Sequence, residues 1–161
     1  LPVTHIEAAS ATGLVAFREA ATPEFSTYAQ EVVSNAAALA EALANHGFRM
    51  VSGGTDNHLM LVDLRPFDAD LSGKKARLIL DRAGISLNEN TVPGDERPPY
   101  ITSGLRIGTP AVTTQGMGHR EMREIAFQIH RVLTHRDDDA VIAETREAVA
   151  TLCSKFAPYP G

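Results

Sequence analysis

Apolar residues recur along this chain in two periods, and the switches between them mark out its elements. From Pro23 to Asn45, Phe25, Tyr28, Val32, Leu39 and Leu43 fall at the three- and four-residue spacing of one helical face. Thr22-Pro23-Glu24 supplies a start, with Thr as N-cap and Pro in the first turn, and Gly47 is placed for a left-handed C-terminal cap. A preceding helix is predicted over His5 to Ala21, where Ile6, Ala9, Leu14, Val15 and Phe17 sit among Ala and Glu; Gly13 weakens it by up to ~1 kcal/mol. Phe48 to Val51 and Leu59 to Leu64 then read as strands, and the paired glycines of Ser52-Gly53-Gly54-Thr55-Asp56-Asn57-His58 predict an antiparallel hairpin between them.

The helical period returns over Lys74 to Ala83, capped by Ser72 and stopped by Gly84. Ile85-Ser86-Leu87-Asn88 alternates as a half-buried strand should, and a stiff polar loop with Pro93, Gly94, Pro98 and Pro99 runs from Glu89 to Pro99. Tyr100 to Pro110 holds one more short strand, Gly-Leu-Arg-Ile-Gly at its centre. Two helices close the chain. Met122, Ile125, Ile129 and Leu133 mark one face of the first; Val141, Val149 and Leu152 point inward on the second, which runs from about Ala140 to Phe156 behind an acidic cap at Asp137-Asp138-Asp139 and is stopped by Ala157 to Gly161. This order predicts an α/β fold: a small, mainly antiparallel sheet covered by helices on one side.

Composition narrows the function classes. A chain of 161 residues, 43% apolar and 22% charged, suits one domain with a real core. A formal charge of −5 without a dense Lys/Arg stripe argues against a nucleic-acid surface. The lone Cys153 can form no internal disulfide and reads as a buried or half-buried helix residue in a reducing compartment. No apolar run has the length of a membrane span and no signal-peptide pattern opens the chain, which places it among soluble, cytoplasmic proteins. The abrupt start at Leu1-Pro2 reads as a piece cut from a longer chain, with a processed start as the alternative.

Candidate chemistry centres on Arg106. In an extended chain Leu105 and Ile107 face one way and Arg106 the other. Gly104 and Gly108 let backbone or ligand approach on either side of the guanidinium, whose planar fork suits a two-pronged grip on a carboxylate. A surface salt bridge is the plain alternative. Asn90 presents a donor and an acceptor to a heterocycle edge, or caps its own turn. Asp56 and His58 share a strand face without a nucleophile and are read as hydrogen-bonding locally to fix the hairpin. The glycine-rich hairpin loop lacks the following Lys of a phosphate cradle. Lys74 and Lys75 sit in a first helical turn, where solvation is the default. His46 is read as serving the helix dipole, and the three aspartates lack the glycine and glutamate of a calcium loop.

Three ordered stretches add a family. Val51-Ser52-Gly53-Gly54-Thr55-Asp56-Asn57-His58-Leu59, Asn88-Glu89-Asn90-Thr91-Val92-Pro93-Gly94-Asp95 and Thr102-Ser103-Gly104-Leu105-Arg106-Ile107-Gly108-Thr109-Pro110 closely resemble serine hydroxymethyltransferase, over about Pro23 to Met117. The resemblance implies the small C-terminal domain of a fold-type I pyridoxal-phosphate enzyme at residues 22–161, with residues 1–21 a remnant of an inter-domain linker helix. It implies that Arg106 binds the substrate carboxylate and that Asn90 contacts folate; Tyr100, at the exit of the loop, is placed to add an aromatic wall near the same ligand. Pyridoxal phosphate would serve the full-length enzyme, a homo-oligomer acting on serine, glycine and tetrahydrofolate. Its lysine anchor, pyridine-nitrogen aspartate and stacking histidine belong to the family's large domain, so no catalytic, cofactor-binding or metal-binding residue is assigned here. The chain alone is expected to be inactive. A standalone amino-acid-binding module is one alternative; a related aldolase or an α-methylserine hydroxymethyltransferase is another.

Overall fold

The computed structural model describes residues 13–156. Residues 13–20 are helical; the part of that predicted helix at residues 5–12 and the stop at Ala157 to Gly161 lie outside the described residues. There follow α1 (Pro23–Asn45), β1 (Arg49–Met50), β2 (Leu59–Asp63), α2 (Gly73–Arg82), β3 (Asn88–Asn90), β4 (Gly104–Gly108), α3 (Pro110–Thr114), α4 (His119–Thr134) and α5 (Asp139–Cys153).

The caps anticipated from sequence set these bounds. Thr22 is extended and its hydroxyl accepts from the Phe25 amide at 3.2 Å, Ser72 accepts from Lys75 at 3.2 Å, and the Asp138 carboxylate accepts from Ala140 and Val141. Gly47 and Gly84 leave α1 and α2 with φ of +87° and +78°.

The four strands lie in the order β1-β2-β4-β3, every neighbouring pair antiparallel. Met60 pairs with Ile107 and Val62 with Leu105, so one face of the central pair is wholly apolar. That face joins a single core with Leu39 and Leu43 of α1, Leu80 of α2, and Met122, Ile129 and Leu133 of α4. Each such side chain contributes roughly 1.5–3 kcal/mol when removed from water. The other face carries Leu61, Arg106 and Asn88 in one row across the strands, and Arg49, Asp63, Gly104 and Asn90 in the next.

Some expectations shift. The strand predicted at Ile85 to Asn88 lies instead at Asn88–Asn90, in what read as the start of a loop. The Ile85 amide closes the end of α2 on the Leu80 carbonyl at 2.9 Å, so pairing begins only where Asn88 meets Arg106. On α5 the buried positions are Ile142 and Thr145, while Val141, Val149 and Leu152 are half-buried. Phe25 is exposed, because the first turns of α1 extend past the core. Cys153 is exposed too, at the end of α5.

Candidate functional site

Strand β4 delivers Arg106 to the face that the helices leave uncovered. Its neighbours Leu105 and Ile107 are anchored in the core, which fixes the direction of the intervening side chain. Arg106 is exposed and takes part in none of the ion pairs among the described residues. It lines a cavity of about 420 Å³ with His58, Leu59, Ser86, Asn88 and Gly108. The guanidinium therefore faces an open recess with its donors uncommitted.

The two flanking glycines do different work. A β-carbon on Gly108 would stand 3.3 Å from the His58 carbonyl oxygen, a tight fit at the cavity wall. On Gly104 it would stand 2.5 Å from Val92 Cγ1, 2.7 Å from the Val62 oxygen and 2.9 Å from the Asn90 oxygen. Gly104 thus makes room for the chain's own loop rather than for a ligand.

That loop is held down at several points. Arg65 grips Asp63 through Nε and Nη2 at 3.0 and 2.9 Å and donates onward to the carbonyls of Gly94 and Pro93 at 2.8 and 3.1 Å. Asp95 accepts from the Ser103 amide and hydroxyl at 2.9 and 2.7 Å and from the Arg97 amide at 3.1 Å. Arg97 reaches the carbonyls of Leu71 and Ala69. Thr102 completes the return with φ +56°, the one positive φ at a non-glycine among the described residues; such backbone is strained for a β-branched side chain. The Arg65 hydrogen bonds hold the Asp63 carboxyl below its usual range against the opposing effect of burial. Burial pushes Asp95 up, and hydrogen bonds from Ser103, Arg97 and Val92 outweigh it, leaving its pKa lowered.

Asn90 ends β3 opposite Gly104, one row along the sheet from Arg106. Its Nδ2 donates to the Thr91 carbonyl at 2.8 Å, the local bond that a turn residue makes. Oδ1 and one amide hydrogen stay open to a ligand. Tyr100 is elsewhere: 70% exposed, it lines a separate groove with Ser72, Lys75, Leu78 and Arg136. Arg106 and Asn90 share one face of the sheet in adjoining rows, Asn90 outside the residues that line the Arg106 cavity, and Tyr100 lies in another groove.

Other candidates resolve more simply. The hairpin is fixed by the Ser52 hydroxyl on the Gly54 carbonyl, the Thr55 hydroxyl on the Leu59 carbonyl and Asn57 Oδ1 on the Leu59 amide. Asp56 only receives a 3.4 Å bond from the Asn57 amide group, and His58 lines the Arg106 cavity. The His46 ring stacks on His130 with centroids 4.7 Å apart. Lys74, Lys75 and Lys155, the chain's three lysines, are all exposed. Sequence reasoning missed Asp63, Arg65, Arg97 and the buried Asn35. The Asp-x-Arg spacing at a strand's end, which lets an arginine fold back on the last strand residue, was the available signal for the first two.

Comparison with known proteins bears on this geometry directly. The family model described as serine hydroxymethyltransferase matches residues 1–129. A serine hydroxymethyltransferase of Coxiella burnetii (strain Dugway 5J108-111) is 48% identical over 158 residues, covering 98% of this chain and 36% of the relative. The chain thus spans a little over a third of the length of the curated relative it matches. An α/β domain with a four-stranded antiparallel sheet, matched by the family model over most of its length, belongs to the serine hydroxymethyltransferase family of pyridoxal-phosphate-dependent transferases.

Proposed function

We propose that this chain is the part of a serine hydroxymethyltransferase that grips the substrate carboxylate and forms one wall of the folate pocket. The observation that carries the reading is Arg106: rigidly mounted, on the uncovered face, with no carboxylate of the described residues paired to it. A guanidinium in that state offers two parallel N–H donors to a carboxylate of serine or glycine. The grip orients the amino acid, and fixed geometry lowers the barrier as well as the dissociation constant. Asn90 offers the adjoining acceptor and donor to the heterocycle of tetrahydrofolate. Tyr100 stays outside this reading because its groove shares no wall with the Arg106 cavity.

Pyridoxal phosphate supplies the electron sink in this family when bound. The lysines of this chain do not fit as its carrier, since all three are exposed and a reactive amine needs a desolvated site. In this reading the chain contributes binding and orientation, and by itself it turns nothing over. Leu14, Val15 and Phe17 are 70%, 57% and 76% exposed on the helical residues 13–20, which supports that stretch as a linker packing against another part of the complete protein.

The test is Arg106→Lys and Arg106→Ala in the complete enzyme. Losing a charge-assisted pair costs about 1.5–3 kcal/mol, or roughly 10- to 100-fold in kcat/KM for serine. Arg106→Lys should recover little, because a point charge lacks the planar fork. Wild-type kcat/KM in the Lys variant would refute the assignment.

A further inference from the structure

The loop after β3 lies across the open face of the sheet, and one of the groups that hold it down is a single arginine, Arg65. Arg65 stands two residues past Asp63, at the end of β2. Its Nε and Nη2 bracket the Asp63 carboxylate, and the same fork continues to the carbonyls of Pro93 and Gly94. Four hydrogen bonds from one planar group tie a strand end to a loop nearly thirty residues away in sequence. Asp63 itself is 2% exposed and pairs across the sheet with Gly104, which pairs in turn with Asn90. Arg65, Asp63, Gly104 and Asn90 therefore form one mechanical row. With Val92 seated over Gly104, lifting Pro93 and Gly94 would draw on the chain that leaves Asn90.

We propose that Arg65, held by Asp63, is a positioning residue that pins residues 91–95 across the sheet and so fixes the Asn90 amide beside Arg106 for a heteroaromatic ligand. The positioning role rests on the reading of Asn90 given above; the pinning does not. A lysine cannot replace Arg65, because one ammonium cannot bracket a carboxylate and reach two diverging carbonyls. Arg49 provides an internal control. It also pairs with Asp63, at 3.5 Å, and is absent from every hydrogen bond to the loop.

Two measurements separate the parts. Amide hydrogen exchange on the full chain should show the Val92, Asp95 and Ser103 amides exchanging at least about tenfold faster in Arg65→Gln and Arg65→Lys, with Arg49→Ala at the wild-type rate. In the complete enzyme, Arg65→Lys should raise the KM for tetrahydrofolate roughly five- to tenfold, with kcat and the KM for serine near wild type, and Asn90→Ala should raise the KM for tetrahydrofolate at least as much. Unchanged loop exchange in both Arg65 variants overturns the pinning. Faster exchange with a raised folate KM in Asn90→Ala but not in Arg65→Lys overturns the positioning. Faster exchange with no folate effect in either overturns the reading of Asn90 and the positioning role together, and leaves the carboxylate grip of Arg106 standing. Should Arg65→Gln unfold the chain, Arg65→Lys, which keeps the charge, carries both measurements by itself.

Discussion

Replacing Gly104 by alanine adds one methyl group at the most crowded point of the sheet. The new carbon would stand 2.5 Å from Val92 Cγ1, 2.7 Å from the Val62 oxygen and 2.9 Å from the Asn90 oxygen. Two of these neighbours are backbone atoms of the strands on either side, in register with Gly104 or next to it. They cannot retreat without opening the β2–β4 or β3–β4 ladder. Val92 is β-branched and buried, so it has no free rotamer to take up. Overpacking of this kind costs about 1–3 kcal/mol. The loss of a glycine from the unfolded chain returns about 0.4–1 kcal/mol. The net is a destabilisation of roughly 1–2 kcal/mol, or a fall in Tm of roughly 2–8 °C for a domain of this size. Urea unfolding should be run beside Gly108→Ala, whose new carbon would lie 3.3 Å from the His58 oxygen, and Gly54→Ala, which meets nothing within 4 Å. The expected order of midpoints is Gly54→Ala at or above wild type, Gly108→Ala slightly below, Gly104→Ala well below. A Gly104→Ala midpoint equal to that of Gly54→Ala would refute the packing argument.

Two further outcomes follow from buried polar and titrating groups. Asn35→Leu keeps the branched shape but removes the donors to Thr113 Oγ1 at 3.0 Å and the Met117 carbonyl at 2.9 Å, and leaving those acceptors buried should cost about 1–3 kcal/mol in a denaturant melt; an unchanged midpoint would show that water replaces the amide. Burial, then the nearby His46 and His135, push His130 below its usual pKa, so the unfolded chain binds the proton more tightly. Stability should therefore be fully present above about pH 6.5 and decline as the pH falls below it, and His130→Phe should flatten that slope in melts taken from pH 7.5 to 5.5; a slope unchanged in the variant would remove His130 as its source.

Much of the fold was legible because the information is local. Thr22, Ser72 and Asp138 cap their helices through their own side chains, and Gly47 and Gly84 end theirs through their own φ. Arg106 was legible for the same reason: alternation about Leu105 and Ile107 decides its face without reference to the rest of the chain. The misplaced β3 shows where this stops. Ile85 and Leu87 alternate correctly, yet whether they pair depends on β4 and on the end of α2, neither of which is encoded within those four residues. Arg65 is a sharper case. Its meaning lies in the carbonyls of Pro93 and Gly94, and no periodicity connects those positions. Tyr100 is close to Asn90 in sequence, yet it lines a groove with Lys75 and Leu78 of α2, a placement that no local pattern encodes.

On the open face Arg106 and Asp63 carry opposite charges that could have cancelled. Asp63 lies one row from Arg106, diagonal across β2 and β4, a separation of about 7–8 Å that an arginine side chain spans. An uncommitted carboxylate there would be the obvious internal partner for Arg106. Arg65 occupies both of its oxygens, Arg49 lies 3.5 Å from one of them, and the loop lid seals the cluster. With Asp63 satisfied, pairing with Arg106 would gain it little and would require dismantling a bidentate contact worth more than an exposed pair. The next acidic residue on β3, Glu89, faces the opposite side and is taken by Arg77 of α2. Both nearby carboxylates are thus spoken for, and it is their commitment, as much as the placement of Arg106, that leaves its fork without an internal partner among the described residues.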